Sequence, residues 1–180
     1  MEVEKQHTIT ILVENKPGVL ARVASLFARR AFNIASLAVS ITNDPTVSRI
    51  TLVAEGDEVE LEQIVKQTNK LIDVVRVADY TGKPILEREL ALIKVTATPE
   101  NRAALMQIVQ VFEAKIIDFS AEQTFTIEVT GDTEKIDAIE QLLEPFGIRE
   151  TVRTGRIAMA RGVLTAYGEG RTSTTAFSEG

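Results

Sequence analysis

The sequence predicts an α+β protein built from two tandem domains. Two observations indicate this class. From His7 to Val77, hydrophobic periodicity changes in the order strand, helix, strand, strand, helix, strand (βαββαβ). The same order returns after a break at Tyr80-Thr81-Gly82-Lys83-Pro84, where Gly and Pro stand close together.

The first half contains one complete set of these elements. In chain order they are a strand over 7–14, a helix over about 18–31, strands over 33–42 and 47–55, a helix over 58–70, and a strand through Ile72, Val74 and Val77. The turn signal Asn43-Asp44-Pro45 separates the second and third strands, so we expect them to form an antiparallel pair. This order is the ferredoxin-like arrangement, an antiparallel sheet with helices on one face.

The second half repeats the set with different residues. Its elements are a strand over 88–97, a helix from Pro99 through Phe112, strands around Ile116–Phe119 and Phe125–Val129, a helix from Ile136 to Phe146, and a strand over 147–154. The sequence thus predicts two tandem ferredoxin-like βαββαβ domains. We place the first over 1–80, a linker over 81–88, the second over 89–163 and a flexible tail rich in Gly, Ser and Thr over 164–180.

Composition excludes several classes of function. The 180 residues include no Cys and one His, so thiol catalysis, disulfides and a His-cluster metal site are not expected. A net charge of -6 argues against a nucleic-acid partner. The charged N-terminus lacks the apolar core of a secretory signal, and no apolar run is long enough to span a bilayer. We therefore expect a cytoplasmic protein with no membrane partner.

The stretch Glu14-Asn15-Lys16-Pro17-Gly18-Val19-Leu20 is the candidate binding site. It joins the first strand to the first helix, where free N–H groups and the positive end of the helix dipole attract a carboxylate. Gly18 lets a ligand approach the backbone, and the amide of Asn15 can donate and accept. A plain strand-to-helix turn with an Asn cap is the alternative, since such turns are common. The second half has Ala97-Thr98-Pro99-Glu100 instead, so we expect only the first domain to bind an amino acid.

The motifs resemble a known family. Asn15-x-Pro17-Gly18-Val19-Leu20, followed by Phe32-Asn33-Ile34-x-Ser36-Leu37, is similar to the ACT-domain signature of the small regulatory subunit of acetolactate synthase (acetohydroxyacid synthase). Asp44-Pro45-Thr46-x-Ser48-Arg49, Leu71–Val74, Glu87–Leu90 and Ile116–Asp118 extend the similarity to about Gly162. The resemblance implies an N-terminal ACT domain and a C-terminal ACT-like domain.

The resemblance also implies a function in branched-chain amino acid (valine, leucine, isoleucine) biosynthesis. A small subunit of this family has no catalytic or metal site and needs no cofactor of its own. It activates a separate catalytic subunit, which carries thiamine diphosphate, FAD and magnesium, and makes it sensitive to valine feedback inhibition. The effector lies between the ACT domains of a homodimer or higher homo-oligomer. By this resemblance Asn15, Gly18, Val19 and Leu20 face the effector from one chain, and Asn33 and Ile34 from its partner.

Some features leave alternatives open. Ala31 and Ala35 stand where many relatives have a Gly and an acidic residue, and Lys16 either assists a carboxylate or faces solvent. Arg22, Arg29 and Arg30 form either a solvated helix face or a docking surface, and His7 is expected at the surface of a strand edge. A stand-alone amino-acid-sensing ACT protein that regulates another partner, and a small enzyme on the same fold, are the competing functions. The sequence does not distinguish the preferred amino acid or the stoichiometry.

Overall fold

The computed structural model describes residues 6–30, 32–120 and 123–167. In these residues the chain forms two compact units, Met1–Leu86 together with Arg156–Gly180, and Glu87–Gly155. The first boundary falls inside the linker predicted over 81–88. The second differs from the expectation, because the chain from Arg156 onward belongs to the first unit rather than to a C-terminal domain that ends at 163.

The first unit has the predicted βαββαβ order. Its elements are β1 (Gln6–Glu14), α1 (Val19–Arg29), β2 (Asn33–Ile41), β3 (Val47–Glu55), α2 (Glu58–Thr68) and β4 (Val74–Asp79). The strands form an antiparallel sheet in the order β2-β3-β1-β4. Alternate strand residues pack with the apolar faces of both helices in one core that includes Ile9, Ile11, Ile50, Leu52, Val23, Phe27, Leu61 and Ile64.

The register of this sheet fixes where its two ends lie. At one end Gln6 of β1 is the partner of Glu55 in β3, and Glu55 is in turn the partner of Asn33 in β2. At the other end Glu14 is the partner of Val47. The start of β2 and the loop after β1 therefore lie at opposite ends of one sheet.

The second unit repeats the order with its own core. It contains β5 (Ile85–Thr96), α3 (Arg102–Val111), β6 (Lys115–Ser120), β7 (Thr124–Gly131), α4 (Thr133–Leu143), a short 3-10 turn (Glu144–Phe146) and β8 (Ile148–Arg153). The antiparallel strand order is β6-β7-β5-β8, which matches that of the first sheet. The prediction of an α+β protein with two tandem ferredoxin-like domains is confirmed.

Two residues of the first unit differ from the expectation. Ile72 was expected within the last strand, but β4 begins at Val74 and Ile72 is 95% exposed. His7 was expected at the surface, which is wrong, since its side chain is fully buried. The His7 ring nitrogens lie 3.2 Å from Thr81 Oγ1 and 3.1 Å from the carbonyl oxygen of Gly56. These polar partners make burial of the imidazole possible.

The start of α3 also differs from the expectation. The helix begins at Arg102 rather than at Pro99. The carbonyl oxygen of Thr98 accepts the N–H groups of both Asn101 and Arg102 at 3.1 Å, so a turn occupies the residues before the helix. The sequence prediction takes Pro99 as the start of the helix because proline suits a first helical turn, but here Pro99 lies in the turn before it.

The C-terminal segment forms a strand that periodicity did not predict. Residues Ile157–Ala160 form β9. The sequence analysis places residues 164–167 in a flexible tail. In the structure Ala166 is instead buried against Leu12 and Val47. Residues 168–180 lie outside the described part of the chain. No helix within the described residues is long and apolar enough to cross a membrane.

Candidate functional site

The start of α1 is open in a way that the starts of α2 and α4 are not. Gly18 is the N-cap residue, with a φ of 84° in the left-handed region, and no side chain caps this helix start. By contrast, Asp57 accepts N–H groups at the start of α2, and Asp132 accepts one at the start of α4. Since the first N–H groups of a helix have no intrahelical partners, the start of α1 can accept an anion.

Val19 and Leu20 have different surroundings in the first turn of α1. Val19 is 3% exposed and packs in the core, so its side chain is not available to a ligand at the helix start. Leu20 is 40% exposed and presents its side chain at the surface. The structure therefore places Leu20, rather than Val19, where an apolar group of a ligand could touch a side chain.

Asn15 is held in one orientation by its neighbours in the turn before β3. Its backbone N–H donates to the carbonyl oxygen of Thr46 at 2.7 Å, and its Nδ2 donates to the carbonyl oxygen of Pro45 at 3.0 Å. The hydroxyl of Ser48 donates to Asn15 Oδ1 at 3.2 Å. One N–H and one lone pair of the amide remain for a ligand. The sequence analysis names Ser48 in a family motif but gives it no role in the site, since it is distant from Asn15 along the chain.

Arg22 brings a positive charge to the same helix start. Its Nη2 lies 2.6 Å from Asp73 Oδ2, and its Nη1 lies 3.6 Å from where a Cβ on Gly18 would stand. Sequence reasoning had assigned Arg22 to a solvated face or a docking surface. The available signal was its spacing of four residues from Gly18, because helical side chains point back toward the N-terminus.

Lys16 pairs with a neighbouring carboxylate. Its Nζ lies 2.7 Å from Glu14 Oε2, and this hydrogen bond raises the pKa of Lys16. Both side chains are well exposed. Lys16 therefore stays protonated at neutral pH, with its charge directed to Glu14 in this conformation.

Asn33 lies beside a carboxylate at the start of β2. Its Nδ2 donates to Glu55 Oε2 at 2.8 Å, and Gln6 Nε2 donates to Glu55 Oε1 at 3.0 Å. The hydrogen bond from Asn33, followed by that from Gln6, lowers the pKa of Glu55. The sequence predicted no acidic group here, although Glu55 supplies one from the neighbouring strand.

The remaining residues of the β2 start have smaller roles in this geometry. Ile34 is partly buried and packs against the core of the first unit. Ala35 lies within β2 at a register irregularity between Ile34 and Ser36. Ala31 lies outside the described residues.

The two groups of candidate residues are far apart within one chain. Asn15 and Gly18 follow the Glu14 end of the sheet, and Asn33 lies at the Gln6 end. At 3.3 Å per strand residue the separation is about 25 Å. A free amino acid is much smaller than this distance, so one chain does not bring the predicted site residues together.

The outer edge of the first sheet presents an apolar stripe. Strand β2 lies at the end of the strand order, and Leu37, Val39 and Ile41 on it are 38%, 47% and 60% exposed. An edge strand with exposed apolar side chains is a site for pairing with another chain.

The second unit does not reproduce the candidate site. Its equivalent turn carries Glu100, whose pKa is lowered chiefly by a hydrogen bond with the side chain of Thr98. An ionised carboxylate thus lies just before α3 and opposes binding of an anion there. Among the described residues of both units, no cluster of His, Cys, Asp or Glu is arranged to hold a metal ion.

Comparison with known proteins places this chain among small subunits of one enzyme. Residues 88–162 match the family model described as the small subunit of acetolactate synthase, and residues 9–76 match the small-subunit-like ACT domain. A probable acetolactate synthase small subunit of Archaeoglobus fulgidus is 51% identical over 87% of this chain and 98% of its own length. The acetolactate synthase small subunit of Mycobacterium leprae is 50% identical over 87% and 92%.

A solved structure agrees with these sequence matches. The crystal structure of the acetolactate synthase small subunit from Thermotoga maritima has a TM-score of 0.80 and 42% identity, and it covers 88% of this chain and 98% of that one. The chain belongs to the acetolactate synthase small-subunit family. The resemblance seen in the sequence motifs is thereby confirmed.

The residue ranges that the two small-subunit family models match differ from the ranges of the two compact units. The C-terminal family match continues to residue 162, whereas the second compact unit ends at Gly155. Strand β9 therefore belongs to the C-terminal match in sequence and to the first unit in space. The described residues from Val163 to Tyr167 lie beyond both matches.

Proposed function

We propose that this chain is the regulatory subunit of acetolactate synthase in branched-chain amino acid biosynthesis. It activates the catalytic subunit and confers feedback inhibition by valine, which binds between two ACT domains. The observation that carries this proposal is a pair of complementary half-sites, one that offers N–H donors and one that offers a carboxylate. Arg22 and an uncapped helix start form one half, and Asn33 with Glu55 forms the other.

The half-site at α1 suits the carboxylate of a free amino acid. The backbone N–H groups near Gly18 and Leu20 donate to it, and the Arg22 guanidinium, whose Nη2 pairs with Asp73, adds donors from its other nitrogens. The remaining N–H and lone pair of Asn15 orient the ligand. Exposed Leu20 contacts the isopropyl group, whose burial contributes about 2 kcal/mol.

The half-site at β2 suits the ammonium group. Glu55 is ionised at neutral pH, and Asn33 keeps its Oδ1 free to accept a further hydrogen bond. A zwitterion bound by both halves has each of its charges facing an opposite one. Ile34 extends the apolar contact from the same strand.

A second copy of the chain completes the site. If two β2 edges pair antiparallel, the Asn33 of one copy lies beside the Ile41 end of the other. Ile41 is the register partner of Ser48, whose hydroxyl holds Asn15. The apolar stripe of Leu37, Val39 and Ile41 becomes buried in the same step. We therefore propose a homodimer or higher homo-oligomer with effector sites between protomers.

The catalytic subunit is the proposed macromolecular partner, since the family's members bear the name of small subunits of acetolactate synthase. Thiamine diphosphate, FAD and magnesium belong to that partner in this proposal, and this chain contributes no catalytic residue. Valine acts by binding the inhibited arrangement of the complex more tightly than the active one. A preference of about 1–3 kcal/mol is the usual size of such coupling.

Calorimetry of the isolated chain with L-valine, L-leucine and L-isoleucine tests the effector site. We expect saturable binding of L-valine at no more than one site per chain, and absence of binding to all three would contradict the proposal. Activity of the catalytic subunit with and without this chain tests the partner. Valine binding without any interaction with the catalytic subunit would instead favour a stand-alone amino-acid sensor.

A further inference from the structure

Strand β1 is buried on both faces, which its fold does not by itself require. In a ferredoxin-like unit the helices cover one face of the sheet. Ile9 and Ile11 point into that core, but Thr8, Thr10 and Leu12 on the opposite face are only 6%, 0% and 1% exposed. A further element of the chain must therefore cover the second face.

The described residues Arg156–Tyr167, here called the strap, belong to the same compact unit and contact this face. At its beginning, the backbone N–H of Arg156 donates to Ser36 Oγ at 2.8 Å, and Arg156 Nη2 donates to Gln6 Oε1 at 3.3 Å. Near its end, Arg76 Nη1 donates to the carbonyl oxygen of Tyr167 at 2.6 Å. The strap thus extends from the β2 side of the sheet to β4.

The end of the strap supports the turn that holds Asn15. Ala166 is 3% exposed and packs with Leu12 and Val47, and Tyr167 packs against the same cluster. Val47 directly follows Pro45 and Thr46, whose carbonyl oxygens accept both N–H groups of Asn15 described above. Contact with Ala166 therefore restrains the segment that orients Asn15.

The beginning of the strap contacts the other half-site through one intermediate residue. Gln6 accepts from Arg156 with its oxygen and donates to Glu55 with its nitrogen, and Glu55 accepts from Asn33. The strap consequently contacts the supports of both half-sites, which lie at opposite ends of the sheet.

The strap and the sheet each contain a buried polar atom that lacks a hydrogen-bond partner. Thr10 Oγ1 and Tyr167 Oη are buried without a hydrogen-bond partner. Buried polar groups of this kind weaken the association of the surfaces that cover them. All residues of the strap from Arg161 to Thr165 are exposed, so this part of the strap buries little surface against the sheet.

We infer that the strap is a built-in regulator of effector affinity, in which Ala166 and Tyr167 at its end hold the Asn15 turn in its binding conformation. This inference rests on the proposed amino-acid site. When the strap detaches, Leu12 and Val47 become exposed and the Asn15 turn loses its order. A ligand must then restore that order when it binds, which lowers its affinity.

Two truncations of the full chain test the inference. A chain that ends at Gly162 lacks the strap end, whereas a control that ends at Tyr167 keeps every described contact. We expect the first to bind L-valine about fivefold more weakly than the second, as measured by calorimetry. Equal affinities for the two truncations would overturn the inference, whereas absence of binding by the untruncated chain would overturn the proposed site itself.

A point substitution and a ligand-free measurement make the test independent of the truncations. Ala166→Glu places a charge against Leu12 and Val47, and Val163→Glu is the control because Val163 is 80% exposed. We expect faster amide hydrogen exchange over residues 42–48 in Ala166→Glu alone, with β1 still protected. Unchanged exchange in this segment would refute the role of the strap, whether or not valine binds.

Discussion

Replacement of Gly18 by Asp and by Asn gives the sharpest test of the carboxylate half-site. In both variants a residue with a Cβ has to adopt the left-handed φ of 84° that Gly18 has, which costs about 1 kcal/mol. They have nearly equal size and differ chiefly in charge. A carboxylate about 5 Å from that of the effector repels it by about 3 kcal/mol at an effective dielectric constant of 20. We therefore expect Gly18→Asp to bind L-valine about 100-fold more weakly than Gly18→Asn.

The two variants are compared by calorimetry with L-valine and by urea unfolding. Equal free energies of unfolding would establish that the difference in affinity comes from charge at the site. In the complex, Gly18→Asp should abolish valine inhibition while activation of the catalytic subunit is retained. If Gly18→Asp bound valine as tightly as Gly18→Asn, the effector carboxylate would not lie at the start of α1.

Three further substitutions test individual contacts. Arg22→Gln removes the guanidinium donors and leaves the Asp73 carboxylate without its ion pair near the helix start, so we expect about tenfold weaker L-valine binding by calorimetry. Asn33→Ala removes the hydrogen bond that contributes most to the lowered pKa of Glu55, so NMR titration should find the pKa of Glu55 closer to its ordinary value. A lowered pKa means that folding favours the ionised form of Glu55. Its contribution to the free energy of unfolding is therefore complete above the pKa that Glu55 has in the unfolded chain, and it is lost as the pH falls through the pKa in the folded chain. Arg153→Met leaves the buried carboxylate of Glu89 without its ion pair and should lower the free energy of unfolding by about 3 kcal/mol in urea.

Each of these substitutions has a control in the same chain. Arg29→Gln changes an exposed arginine on the same helix, so its valine affinity should remain that of the original chain. The pKa of Asp44, which hydrogen bonds from Thr46 keep low, should be unaffected by Asn33→Ala. Lys66→Met breaks an ion pair in which both side chains are 68% exposed, so it should cost less than about 0.5 kcal/mol. Equal effects of a substitution and its control would contradict the assigned contact.

Local patterns were sufficient to predict most of the fold. The alternation in β1 and the helical spacing in α1 each involve residues within a few positions of each other. Their order alone predicts the sheet, because short connections restrict the possible topologies. The errors at Pro99 and Ile72 lie at ends of elements, where a turn competes with the neighbouring helix or strand.

The missed residues of the candidate site depend on contacts between distant parts of the sequence. Ser48 meets Asn15, Glu55 meets Asn33, and Asp73 meets Arg22 only after β1, β3 and the chain before β4 are in place. Burial of His7 has the same origin, since its partners Thr81 and Gly56 come from other segments. Periodicity carries no information about such pairs, and the predicted site therefore contained its loop residues without their supports.

The separation of the two half-sites has a consequence for regulation. If one chain held both the anionic and cationic groups within reach of an amino acid, binding would require no change in how protomers meet. Here Asn15 and Asn33 lie about 25 Å apart along one sheet, so an effector that uses both must bridge two copies. Such a ligand necessarily favours the arrangement in which the β2 edges meet, and by linkage that arrangement raises the affinity for the ligand by the same factor. The affinity of the proposed regulatory subunit for its effector thus depends on how two copies of the chain meet. A catalytic partner that changes this arrangement would change the affinity as well.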